Sequence, residues 1–148
     1  MIMTRIILTV ALTMLVLPAF SQVPSVAELK QQAEQGNPAA QFGLGGMYLV
    51  GEGLPQNYDE AAKWFRMAAD QGYAHGQFSL GLMYRFGRGV PLDYIQAHMW
   101  SNLAASNLKG EAREEAVKLR DATAESMTRK QIDEAQRLAT EWRPKTTQ

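Results

Sequence analysis

The chain has 148 residues, with 15 Lys+Arg against 15 Asp+Glu, 46% hydrophobic residues and no cysteine. That length suits one domain, and the composition is globular rather than disordered. A net charge of zero argues against a nucleic-acid binder, which needs a basic surplus to neutralise phosphates. Without cysteine there is no disulfide framework, thiolate metal site or cysteine nucleophile.

Arg5 is the sole charge in the first 27 residues, and it precedes the apolar run Ile6 to Leu17. Pro18 and then Ala19-Phe20-Ser21-Gln22 follow. A basic start, an apolar centre and small residues before a cut describe a secretory signal peptide over residues 1–21, cleaved after Ser21. The run is shorter than the ~20 residues a spanning helix needs, so no membrane span is expected after cleavage. A periplasmic or secreted location follows as an expectation.

Residues 22–36 read as half a repeat. Ser25-Val26-Ala27-Glu28 is a capping box that opens a helix over Leu29–Gln35, closed by Gly36. Sliding the sequence by 36 places then aligns Gly36–Gln71 with Gly72–Asn107, with 15 of the 36 positions identical. Each unit predicts two helices. In the first, over 37–72, Asn37 caps a helix with Pro38 at its first position, and Gly51-x-Gly53-x-Pro55 stops it near Val50. Asn57-Tyr58-Asp59-Glu60 opens the second helix, and Ala61, Trp64 and Ala68 recur on it at helical spacing until Gly72. The second unit, over 73–110, repeats this, with Asp93-Tyr94-Ile95-Gln96 at the second start and the closing glycine delayed to Gly110. Gly45 and Gly81 fall inside helices, where glycine costs about 1 kcal/mol relative to alanine. Their recurrence predicts helices too close for a side chain.

The pattern changes over 111–148, expected to be a C-terminal helical cap and tail. Ala112, Ala116 and Leu119 make a narrow stripe on a charged helix, and Thr128-x-x-Gln131 caps a last helix with Ile132, Ala135, Leu138, Ala139 and Trp142 inside. About seven helices result, an all-α superhelical stack with polar outer pairs.

The unit's residues Gln41, Leu44, Gly45, Tyr48, Gly51, Gly53, Pro55, Tyr58, Ala61, Trp64, Ala68, Ala69 and Gly72, matched from Gln77 to Ala105 in the second copy, resemble a Sel-1-like repeat, a relative of the tetratricopeptide repeat. That resemblance implies an α/α solenoid that serves as a scaffold for protein–protein contact, with no cofactor. Some secreted members are linked to β-lactam or cell-wall chemistry, but this chain lacks their disulfides.

Residues able to carry chemistry are few. His75 and His98 fit no metal spacing, and His98 lies in a helix expected to be packed. Ser106-Asn107-Leu108-Lys109 matches S-x-x-K, but no S-D-N or K-T-G partner accompanies it. Glu111, Glu114 and Glu115 interleave with Arg113, Lys118 and Arg120, as a solvated helix face does. Gly51 and Gly53 follow a helix rather than a strand, unlike a phosphate loop. No catalytic, cofactor-binding or metal-ligating residue is assigned.

Positions that differ between the copies are free to serve a partner. The informative ones are Asn37/Tyr73, Ala39/His75, Gly46/Leu82, Leu49/Arg85, Val50/Phe86 and Glu52/Arg88. Tyr73, His75, Arg85, Phe86 and Arg88 are therefore expected to line a groove with aromatic and basic contacts, the residue types of interface hot spots. The expected function is an exported scaffold that binds an envelope protein or peptide. The alternatives are a peptidoglycan or glycan binder and a cell-wall hydrolase.

Overall fold

The seven helices of the described residues begin where capping chemistry places them. Ser25 opens α1 (Val26–Glu34) with a full capping box, and Thr128 does the same with Gln131 for α7 (Arg129–Glu141). Asn37 accepts from Ala40 N at 3.0 Å at the start of α2 (Pro38–Val50), where Pro38 lacks a donor that would have no partner anyway. Asn57 and Asp93 cap α3 (Tyr58–Asp70) and α5 (Tyr94–Asn107) in the same way, though without the reciprocal half of a box. Glu60 reaches Lys63 instead, at 3.6 Å. The first helix of the second unit, α4 (Ala74–Phe86), starts at Tyr73 with no side-chain cap. The structure, a computed structural model, describes residues 24–146, so the expected leader and its cut after Ser21 lie outside the described residues.

These helices form an α/α stack. Helices α2, α4 and α6 (Gly110–Ala124) touch in succession and make one layer, while α1, α3 and α5 fill the other. The core runs along the stack in three clusters. Ala33, Ala40, Leu44 and Trp64 form the first, and Phe65, Leu80, Met83, Met99 and Trp100 centre the second. Ala104, Ala105, Leu108 and Ala116 form the third. The first and third clusters join neighbouring elements along the chain, as a linear repeat requires, while the second also takes in the last helix.

The small residues inside the repeat permit this closeness. A Cβ on Gly45 would stand 2.7 Å from the Phe65 ring, and one on Gly81 would stand 2.9 Å from Ser101 Oγ. Both are shorter than carbon contacts allow, so the expected close approach is real.

The end of the second unit differs from the expectation. Gly110 does not close α5. It is the first residue of α6, at φ +57°, because Leu108 turns extended and buries itself against Ala104 and Ala116. The last helix also departs from a simple outer pair. The α6 residues Glu111, Arg113, Glu114, Glu115 and Lys118 are exposed and offer α7 no apolar stripe. Helix α7 packs on α5 instead, and Leu138, Ala139 and Trp142 join the central cluster. Trp142 meets Trp100 edge-on at 6.1 Å, and Lys145 N donates to the Asp70 carbonyl at 2.7 Å.

Candidate functional site

Residues four and three apart share a helix face, so His75, Ser79, Leu82 and Phe86 form one stripe along α4. Phe42, Gly46 and Leu49 form the matching stripe along α2. Contacts at both ends show that the two stripes face a common trough. At one end the Phe42 ring lies 5.6 Å from Tyr73 and 5.8 Å from His75, with Tyr73 and His75 5.7 Å apart. At the other, Leu49 shares a hollow of about 120 Å³ with Ser79, Leu82, Met83, Phe86 and Arg88. Between the ends, a Cβ on Gly46 would meet nothing within 4 Å. At 1.5 Å per residue, α4 makes the trough about 18 Å long, the span of roughly five or six extended residues.

The five residues expected to line one groove therefore divide into two groups. Tyr73 and His75 sit at the start of α4, while Arg85, Phe86 and Arg88 sit at its end. The second group is built by a close backbone approach. Gly89 passes so near α3 that a Cβ there would stand 2.0 Å from the Tyr58 carbonyl oxygen. This holds Arg88 beside α3, 5.7 Å from the Tyr58 ring and 5.7 Å from the Phe86 ring. The Arg85 guanidinium lies 5.8 Å from the centre of the Phe86 ring. Phe86 is 57% exposed and Val50, its equivalent in α2, is 63% exposed, so the apolar surface here is open to a partner.

The loop beyond α4 adds a further apolar group. Gln56 donates to the Leu49 carbonyl at 2.9 Å and so covers the end of α2. Leu92 occupies the same place in the second unit, cannot donate, and is 55% exposed. Tyr58 and Phe42 escaped the sequence comparison because each is identical in both copies and read as scaffold.

No described residues form a group of three or more His, Asp or Glu side chains able to hold a metal. His98 is buried between α5 and α6, and its Nδ1 has no hydrogen-bond partner. Burial, with Arg120 as a lesser cause, lowers its pKa and keeps the ring neutral. Ser106 donates to its own helix at Asn102 O, 2.9 Å away, so the S-x-x-K match is used in helix packing. A hollow of about 390 Å³ between α5 and α7 is lined by Ile95, Lys130, Gln131, Asp133, Glu134 and Arg137, of which Asp133, Glu134 and Arg137 are in ion pairs. At about 120 Å³ the hollow at the end of α4 is below the range that takes a drug-sized ligand, and it suits one side chain of a chain lying in the trough.

Stacked helix pairs with an open trough between successive first helices define an α/α solenoid scaffold. The family model of the Sel1 repeat matches residues 38–73 and 74–107, and the chain is a Sel1-repeat protein. A protective antigen of uropathogenic Escherichia coli that displays an SLR fold is 34% identical, with a TM-score of 0.73 over 78% of this chain and 24% of that one. A Sel1 repeat protein from Oxalobacter formigenes is 41% identical, with a TM-score of 0.58 over 63% of this chain and 27% of that one. The chain thus spans about a quarter of the length of these relatives. No curated protein matches it. No described helix is long and apolar enough to cross a membrane.

Proposed function

We propose that this chain is an exported, non-catalytic scaffold of the cell envelope that binds an envelope protein or peptide in the trough between α2 and α4. The single observation that carries the reading is the trough itself: two facing stripes, open at Gly46 and ending in the exposed Phe86 beside Arg88. Aromatic and arginine side chains around a pocket are the residues that dominate interface energies. Export is supported by the basic, apolar and small-residue order of residues 1–21.

The three rings Phe42, Tyr73 and His75 favour a second reading, glycan binding. Their planes are tilted by 43° to 49°, so the rings engage one another rather than present one flat platform. That arrangement supports the protein partner over the sugar.

A photo-reactive residue at Leu82 should crosslink the partner in cells, and the same residue at the exposed Lys63 of α3 should not. Equal crosslinking from both positions, or none from Leu82, refutes the reading. Co-sedimentation of the chain with purified sacculi, with no protein crosslinked, would establish the glycan reading in its place.

A further inference from the structure

The charges at the end of the trough give the partner a chemistry. Arg85 packs on the Phe86 ring and Arg88 on both Phe86 and Tyr58, while Arg66 on α3 donates to the Tyr84 hydroxyl. Among the described residues none of the three is in an ion pair, and the same holds for Lys109, Arg113, Lys130 and Arg143, whereas Lys30, Lys63, Lys118, Arg120, Arg129, Arg137 and Lys145 are paired. Arg85 also has one buried guanidinium nitrogen without a hydrogen-bond acceptor. Ring stacking holds a guanidinium in place while leaving its N–H edge free, and that edge matches a carboxylate in two parallel hydrogen bonds.

The apolar requirement sits alongside. Gly46 leaves open space opposite Leu82, about one helical turn from the hollow bounded by Leu49 and Phe86. An extended chain lying in the trough places alternate side chains on the same side, some 6 to 7 Å apart at about 3.3 Å per residue. It can therefore set an apolar side chain over Gly46 and a carboxylate near Arg88 together.

We propose that the trough recognises an extended acidic segment of a partner protein, with a carboxylate meeting Arg88 and an apolar side chain entering the gap at Gly46. The inference rests on the trough being the binding surface and adds the partner's charge and conformation. It also explains why the second unit carries Arg88 where the first carries Glu52. Arg88 lies just beyond the C-terminal end of α4, beside Tyr58 of α3, so the acidic part of the segment is placed at that end of the trough.

The test is fluorescence anisotropy of the whole chain with three labelled six-residue peptides. One has glutamates on both sides of a central leucine, and the others have glutamine or lysine at those places. The acidic peptide should bind about tenfold more tightly than the glutamine peptide or better, and the lysine peptide least. Raising the salt from 0.05 to 0.5 M should remove most of the difference, because exposed charges are screened. Arg88→Gln should remove most of it too, and Gly46→Leu should abolish binding of all three. Equal binding of the three peptides, or preference for lysine, overturns the acidic inference while loss of binding in Gly46→Leu keeps the trough standing. Failure of all three peptides to bind also overturns it, and the crosslinking from Leu82 then decides the trough separately.

Discussion

Gln41 donates from Nε2 to the Ala33 carbonyl at 3.1 Å and accepts from Gln71 Nε2 at 2.8 Å, so both ends of a buried amide are paired. Gln77 repeats the donation, to Ala69 O at 3.4 Å, but its Oε1 has no partner. The residue 36 places after Gln71 is Asn107, one methylene shorter, and it donates to Leu103 O of its own helix. An unpaired buried acceptor costs about 1–3 kcal/mol. Asn107→Gln should therefore raise stability by about 0.5–1.5 kcal/mol in urea unfolding, and no gain would show that water or a helix shift already serves Gln77. His98 gives a second residue-scale outcome. Its pKa is lowered in the fold by burial, with Arg120 lowering it further and Asp121 opposing, from a reference value of 6.5. The unfolded chain takes up the proton first as pH falls, so stability is full above about pH 6.5 and declines below it until the folded ring also titrates. His98→Gln should flatten the fall in melting temperature between pH 7 and pH 5. A slope unchanged by the substitution would place the acid sensitivity elsewhere.

At the scale of the helix, one residue type plays opposite parts. Gly89 has φ +66° and no room for a Cβ against Tyr58, whereas Gly46 has helical backbone and open space. Gly89→Ala should cost at least about 2 kcal/mol from backbone strain and clash together. Gly46→Ala should stabilise by up to about 1 kcal/mol through helix propensity. Thermal unfolding of the two variants checks the contrast, and destabilisation by Gly46→Ala would mean that α2 is not as open there as its surroundings indicate. The helices themselves were legible in the sequence because their caps are local. Ser25, Asn37, Asn57, Asp93 and Thr128 all cap the helices they precede. That Asn57 caps without the reciprocal half of a box was not legible, since Glu60 has Lys63 as a competing neighbour. Gly110 misled for a related reason. A glycine can open a helix as readily as close one, and the burial of Leu108 decides which.

For the whole molecule, the 36-residue repeat made the stack legible, but periodicity carries no signal for the chain beyond the last unit. The placement of α7 on α5 depends on Trp142 finding Trp100 and the space beside Gly72, where a Cβ would lie 3.6 Å from the ring. Trp142→Ala should cost about 2–3 kcal/mol, less than a fully buried tryptophan because the ring is only half-buried. It should also leave the trough's crosslinking intact, since α7 lies on the other layer. Differences between the units drew attention to α4, yet they joined Tyr73 and His75 to Arg85, Phe86 and Arg88 as one group. The length of α4 separates them, and Phe42 and Leu49 from α2 complete the two ends.

The most direct measurement of the central claim is crosslinking from Leu82 in a chain that also carries Gly46→Leu. The first atom of the added side chain, its Cβ, meets nothing within 4 Å, so the fold should hold and the melting temperature should not fall. If the trough between α2 and α4 is the binding surface, the crosslink from Leu82 disappears in this folded variant. A crosslink of undiminished yield would contradict the account.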